Sequence, residues 1–377
     1  MGVRPMQEEN TVPVWGGCFA PLRLITFDGE TWNPTLDEIN AGSYDATKLF
    51  RSSLSIDVGI APLSLIVLFD GTLVLPACAE IPKHRALAIF NKHLTNLLLG
   101  GFLVEEVAPD DVTPGSLNFW GYHRHHVPRG RYSKLSQSLR MARGGPDEAI
   151  ALFQPKTIEK ERYLQIHTVG FSLSNVLPAN IPTVLLPACT SFSNEKWERA
   201  LILGWTSIEL IIEKMWNEKV LNGPDISGIS RKRRKDFLSD TRTWSSSTRI
   251  ELLWQRGHIS DEMYMLADRA RAARNAFIHS ADECSPDSAR SAIEACLNLV
   301  DSVASEAGLK FEAAKLMQQL DETTTHFRKP VADSKGRLLT EPQFWRYPDP
   351  APGFKDWGDR PFEKNPEIQL QRLEPKA

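Results

Sequence analysis

Residues 194–220 read NEKWERALILGWTSIELIIEKMWNEKV, and within them Trp197, Leu201, Trp205, Ile208, Ile212 and Trp216 recur at steps of three and four. A period near 3.6 keeps all six on one side, so this stretch predicts the longest helix of the chain. A stripe carrying three tryptophans must be covered by other elements, because an amphipathic helix is held mainly by packing of its apolar face. Any fold of this chain therefore contains a helical layer around the segment. Gly204 lies inside it at a cost of about 1 kcal/mol against Ala. Flanked by tryptophans, it predicts a close helix crossing rather than a break.

The residues that follow supply partners for that stripe. Helices are predicted over ISRKRRKDFLSDT (229–241) and SSTRIELLWQRG (246–257). Ser260 is a candidate N-cap, and Asp261 and Glu262 suit the positive end of a helix dipole. The helix they open runs to about Ser280, with Met263, Leu266, Ala270, Ala273 and Phe277 on its apolar side. Ser285 and Pro286 repeat the start signal for a further helix to about 306, which presents Ala292, Cys296, Leu299 and Val303. The short links favour a compact antiparallel bundle over 191–325.

Upstream the period shortens. CFAPLRLITF (18–27), SLSIDVG (53–59), SLIVLFDGTLVLP (64–76), YLQIHTVGFSL (163–173) and TVLLPAC (183–189) are short β-branched or aromatic runs closed by turn residues, and predict strands. Asp70-Gly71 predicts a hairpin turn. One helix is expected over 84–100, and residues 102–150, with the basic stretch HRHHVPRGRYSK (123–134), predict a loop followed by a short polar helix. The expected fold is α+β: a β-rich mixed domain over 1–190, an all-α antiparallel bundle over 191–325, and a Pro-rich extended tail over 326–377.

Composition narrows the function classes. The formal net charge is −3, so contact with nucleic acid requires a local basic patch. Five cysteines lie scattered, without paired spacing, which fits a reducing compartment. No apolar run of membrane length or signal-peptide form is present, and a cytoplasmic location without membrane contact is expected. A P-loop, a G-x-G-x-x-G fingerprint and a G-x-S-x-G elbow are all lacking. His123, His125 and His126 lack accompanying zinc-ligand spacing, so neither a metal nor a cofactor is expected.

The helix beginning near Ser260 ends in RNAFIH, Arg274 to His279. On an ideal helix Asn275 and His279 share a face, whereas Arg274 is rotated from His279 by about 140 degrees. A frayed last turn would narrow that angle. The residue types suit metal-free cleavage of RNA: a guanidinium stabilises phosphoryl oxygens, and an imidazole, which titrates near about 6.5, moves the proton of an attacking ribose 2′-hydroxyl. Asn275 would orient the imidazole or bind phosphate. The same residues also describe a solvated helix end, where His is favoured electrostatically. Arg231, Arg233 and Arg234 in the run RKRRK, together with Arg271, are candidate RNA contacts, against the alternative of a merely hydrated charge run.

With RNAFIH and the upstream GWTSIELII (204–212), the chain resembles the HEPN superfamily, specifically its Apea-like branch, over roughly 193–306. That branch carries an Arg-polar-x-x-x-His motif late in a core helix and an acidic residue among apolar ones upstream, which falls here on Glu209. The resemblance implies a homodimeric, metal-independent endoribonuclease leaving a 2′,3′-cyclic phosphate, of the kind that serves as a toxin or antiviral effector, with a trigger sensed by the fused domain. Catalytic roles would fall to Arg274, Asn275 and His279, with Glu209 positioning Arg274 across the bundle. Catalytically silent members, which assemble or bind RNA, leave a second reading open. A third places the biochemistry in the first domain, as a ligand-binding β module.

Overall fold

The computed structural model describes residues 11–27, 29–144, 150–153, 155–222 and 231–327. Six strands form one antiparallel sheet: β1 (Thr11–Gly17), β3 (Ser52–Ile60), β4 (Leu63–Leu68), β5 (Leu73–Pro76), β6 (Val112–Asn118) and β7 (His123–His125), in the order β3-β4-β5-β1-β6-β7. A parallel pair, β2 (Leu24–Thr26) and β8 (Thr157–Glu159), lies apart from it. The fold is mixed α+β, with the sheet in the first part of the chain and helices dominating the rest.

The Asp70-Gly71 turn forms as expected between β4 and β5. Leu68 N donates to Thr72 O at 2.9 Å, and the Asp70 carboxylate accepts from Thr72 N at 3.1 Å. Gly71 adopts a φ of 81°, which a side chain would resist. One sheet face carries Leu65, Val67, Leu73 and Leu75 into a core shared with α2 (Lys83–Leu99). The opposite face meets α3 (Arg131–Arg140), the short polar helix foreseen in the sequence. β6 and β7 fall where a loop was expected. Pro114 and Gly115 inside β6 hide its strand character, but pairing with β1 holds it in register from Thr11↔Asn118 to Gly17↔Val112.

Two expected strands are helices. YLQIHTVGFSL belongs to α4 (Lys160–Val176), and TVLLPAC ends in α5 (Leu185–Ser193). In α4 the buried residues Tyr163, Ile166, Gly170 and Leu173 follow helical steps. α5 is buried on most sides, so its apolar run carries no period, and Pro187 is tolerated because it sits in the first turn. The expected boundary near 190 falls within α5. Leu186, Cys189 and Phe192 there join the core that contains both the sheet's Leu65 and the bundle's Trp205.

The long stripe forms α6 (Trp197–Trp216), prolonged by a π turn over Asn217–Leu221. Ile208 and Ile212 are buried, each burial stabilising by about 1.5–3 kcal/mol. Trp216 is also buried, and its indole donates to Leu238 O at 3.0 Å. Around α6 lie α7 (Arg231–Ser239), α8 (Ser246–Gln255), α9 (Asp261–Ser280) and α10 (Pro286–Glu306), followed by α11 (Ala313–Thr323), which the sequence reading did not separate. A Cβ on Gly204 would lie 3.1 Å from Ala292 Cβ, so this glycine sits at the close crossing of α6 and α10. Residues 328–377, most of the expected tail, lie outside the described set, but its start is packed: Phe327 stacks on Phe192 at 5.7 Å.

Candidate functional site

α9 starts where its cap predicts, with Ser260 Oγ accepting from Met263 N at 3.2 Å. Met263, Ala267 and Ala270 form its buried stripe. Arg274 follows Ala270 by four residues, continues that side of the helix and is half-buried. Its Nη1 donates to Asn275 Oδ1 at 3.0 Å, and no carboxylate among the described residues forms an ion pair with it. His279 is exposed.

The last turn does not fray. α9 stays helical through Ser280, and Ala281, at φ 54°, closes it by donating to Phe277 O at 3.0 Å. The angle of about 140 degrees between Arg274 and His279 is therefore kept. On the helix wheel Arg274 and His279 therefore stand on either side of the Asn275 row.

Glu209 departs from the positioning role that the resemblance implied. It accepts from Ser246 Oγ at 3.0 Å, which ties α6 to the first turn of α8, and forms no ion pair with Arg274. Lys214, a possible alternative partner, pairs with Glu218 instead. Arg271 is held by Asp268 through bonds of 3.0 and 2.7 Å, so its charge is largely compensated. A cleft of about 380 Å³ beside it includes Thr248, Glu251, Tyr264 and Asp268. Its two carboxylates against one guanidinium make it a poor phosphate site. Arg233 is exposed on α7, while the side chains of Arg231 and Arg234 lie outside the described set.

The most developed polar cluster lies elsewhere, under α3. Arg140 donates to both Asp70 oxygens at 2.8 Å, to Thr72 Oγ1 at 2.8 Å and to His123 Nδ1 at 2.9 Å. Burial alone would raise the Asp70 pKa, but the Arg140 charge and hydrogen bonds outweigh it and hold the carboxyl below its usual range. Burial, then the Arg140 charge, keeps His123 neutral and lowers His125 to about 3. His125 meets Thr113 Oγ1 at 2.7 Å and Cys18 Sγ at 3.7 Å. Burial pushes the Cys18 thiol up to about 12, so it is not a ready nucleophile.

Because Arg140 donates to Nδ1 of the neutral His123, the ring proton resides on Nε2. A Cβ on Gly16 or Gly115 would lie 3.0 or 2.5 Å from that atom, so both strands are glycine where the ring lies on them. The sequence reading missed this cluster. Its members are separated by up to about 120 positions, and the local signals were Asp70, which the turn already explained, and His123 and His125, which were weighed only as metal ligands.

Comparison with protein-family models, with curated proteins and with solved structures gives no match for this chain. Among the described residues no single helix is long and apolar enough to cross a membrane, and no three His, Cys, Asp or Glu side chains form a group suited to hold a metal ion.

Proposed function

We propose that the chain is a metal-independent endoribonuclease of the HEPN kind, acting as a homodimer through the ends of its α9 helices. The observation that carries this reading is Arg274: a half-buried guanidinium near the end of α9, steadied by Asn275 and without a carboxylate partner among the described residues. A partly desolvated cation that no described carboxylate compensates suits a phosphodiester.

In the proposed step the ribose 2′-oxygen attacks the adjacent phosphorus and the bond to the 5′-oxygen breaks. The products are a 2′,3′-cyclic phosphate and a free 5′-hydroxyl. The 2′-hydroxyl proton is lost and one is gained by the leaving oxygen, with His279 serving one of these transfers. Arg274 stabilises the charge on the non-bridging oxygens, and Asn275 keeps the guanidinium oriented. DNA, lacking the 2′-hydroxyl, is not a substrate.

Because Arg274 and His279 are about 140 degrees apart on one helix, two chains would each contribute a residue at one phosphate. That same separation favours the second reading, a dimeric RNA-binding or assembly module without turnover. An end-labelled RNA incubated with EDTA decides between them. The expected result is cleavage by the native chain, reduced about 10²–10⁴-fold by His279→Ala, and none at a 2′-deoxy position. Equal cleavage by both proteins would remove His279 from the mechanism.

A further inference from the structure

The turn between β6 and β7 presents surface that neither the core nor the α9 end uses. Phe119 is 78% and Trp120 68% exposed, yet the turn that holds them is firmly built. Asn118 Oδ1 accepts from Trp120 N at 3.1 Å and Tyr122 N at 2.9 Å, and Ser52 N donates to Gly121 O at 2.8 Å. Tyr122 packs edge-on against Phe50, with ring centroids 5.7 Å apart. A rigid turn holding two large aromatics in water pre-organises them for a partner.

Beside the turn opens a cavity of about 330 Å³, lined by Phe50, His123, Arg124, His125, Gln137 and Met141, and bounded by Arg140. This is at the low end of small-ligand sites, about 300–1,000 Å³. Its walls are rings, a thioether and an amide, and its buried charges cancel, since Arg140 is paired with Asp70. The rim is cationic. Arg124 is exposed at its edge, and Arg143 is exposed two residues beyond Met141. Residues 112–146 contain six Arg or Lys and no Asp or Glu, within a chain of net charge −3.

Exposed aromatics, a ring-walled cavity without net charge and a cationic rim match the needs of a single strand of nucleic acid, whose bases stack while its phosphates meet guanidinium groups. A lipid surface would use the aromatics and the rim but leave the cavity unexplained. We propose that the β6–β7 turn and its cavity grip single-stranded RNA, with one base in the cavity, neighbouring bases on Phe119 and Trp120, and phosphates at Arg124 and Arg143. The choice of RNA over DNA rests on the ribonuclease reading.

The test uses the full chain carrying His279→Ala, in EDTA, titrated into a fluorescent single-stranded RNA of about 12 nucleotides and followed by anisotropy. Adding Phe119→Ala and Trp120→Ala weakens binding at least about tenfold, whereas Phe119→Tyr with Trp120→Phe retains it. Arg124→Ala with Arg143→Ala flattens the salt dependence. Thermal unfolding of each variant, unchanged from the parent, separates these effects from misfolding. Parental affinity in the aromatic double variant overturns the grip, as does aromatic-dependent binding to anionic lipid vesicles without binding to the oligonucleotide. The two proposals fail separately: a native chain that cleaves while the aromatic variant binds normally keeps the ribonuclease and loses the grip. A chain that binds through the turn but never cleaves does the reverse.

Discussion

At the scale of single residues, the charges that matter to stability lie under α3. Arg140 is nearly inaccessible and its partner Asp70 likewise, with side-chain exposures of 5% and 3%. Removing one partner strands the other in a medium of low dielectric. Arg140→Ala is therefore expected to cost about 3–5 kcal/mol, seen as a lower urea midpoint with little change in slope. Buried histidines set an acid limit. His93, His123 and His125 are all held neutral by burial, with folded pKa values below the unfolded value of about 6.5. Their contribution is complete above about pH 6.5 and is lost as pH falls from there toward the folded values, about 3 for His125. Within that window each proton taken up by a buried ring on unfolding favours the unfolded chain. Unfolding midpoints measured from pH 7 down to pH 4 should fall steadily, and a flat profile would show that these rings are already protonated in the fold. RNAFIH could be picked out as a candidate because its residues are adjacent in the chain. The partner of Glu209 was not, because a carboxylate on a half-buried face takes whichever donor the packing brings, here Ser246.

At the scale of elements, legibility follows the strength of local signals. The caps at Ser260 and Ser285 were read correctly, since each satisfies an orphan amide within its own turn, Met263 N for one and Ser288 N for the other. Ser260→Ala should cost about 1 kcal/mol, measurable by thermal unfolding. α5 was misread because burial on several sides erases the polar face that marks a helix, and α4 because its exposed side carries Val169 and Phe171 while a glycine, Gly170, sits in its buried stripe. The α2–α4 crossing depends on a residue that propensity disfavours. A Cβ on Gly170 would overlap the Asn96 carbonyl oxygen, and one on Gly100 would overlap that of Ile166. Gly170→Ala should improve helix propensity yet destabilise by about 1–3 kcal/mol or more. A stabilised variant would show that the helices can part without loss.

At the scale of the whole molecule, a core running from the sheet through α5 into the bundle couples what the sequence divided near residue 190. Composition changes there, but a composition change marks a domain boundary only where few contacts cross it. The same scale decides the proposed active site. If catalysis needs Arg274 from one chain and His279 from another, two inactive variants complement each other. Mixed and re-equilibrated in equal amounts, Arg274→Ala and His279→Ala chains form heterodimers as about half of all dimers, each with one complete and one doubly defective site. Activity should return to about a quarter of the native value. Arg274 and His279 acting together within one chain would leave every site in the mixture defective, and activity would stay at the level of the separate variants. Recovery also requires exchange of subunits, so incubation at increasing protein concentration before the assay should raise the yield toward that limit, and the concentration at half-recovery reports the strength of the dimer.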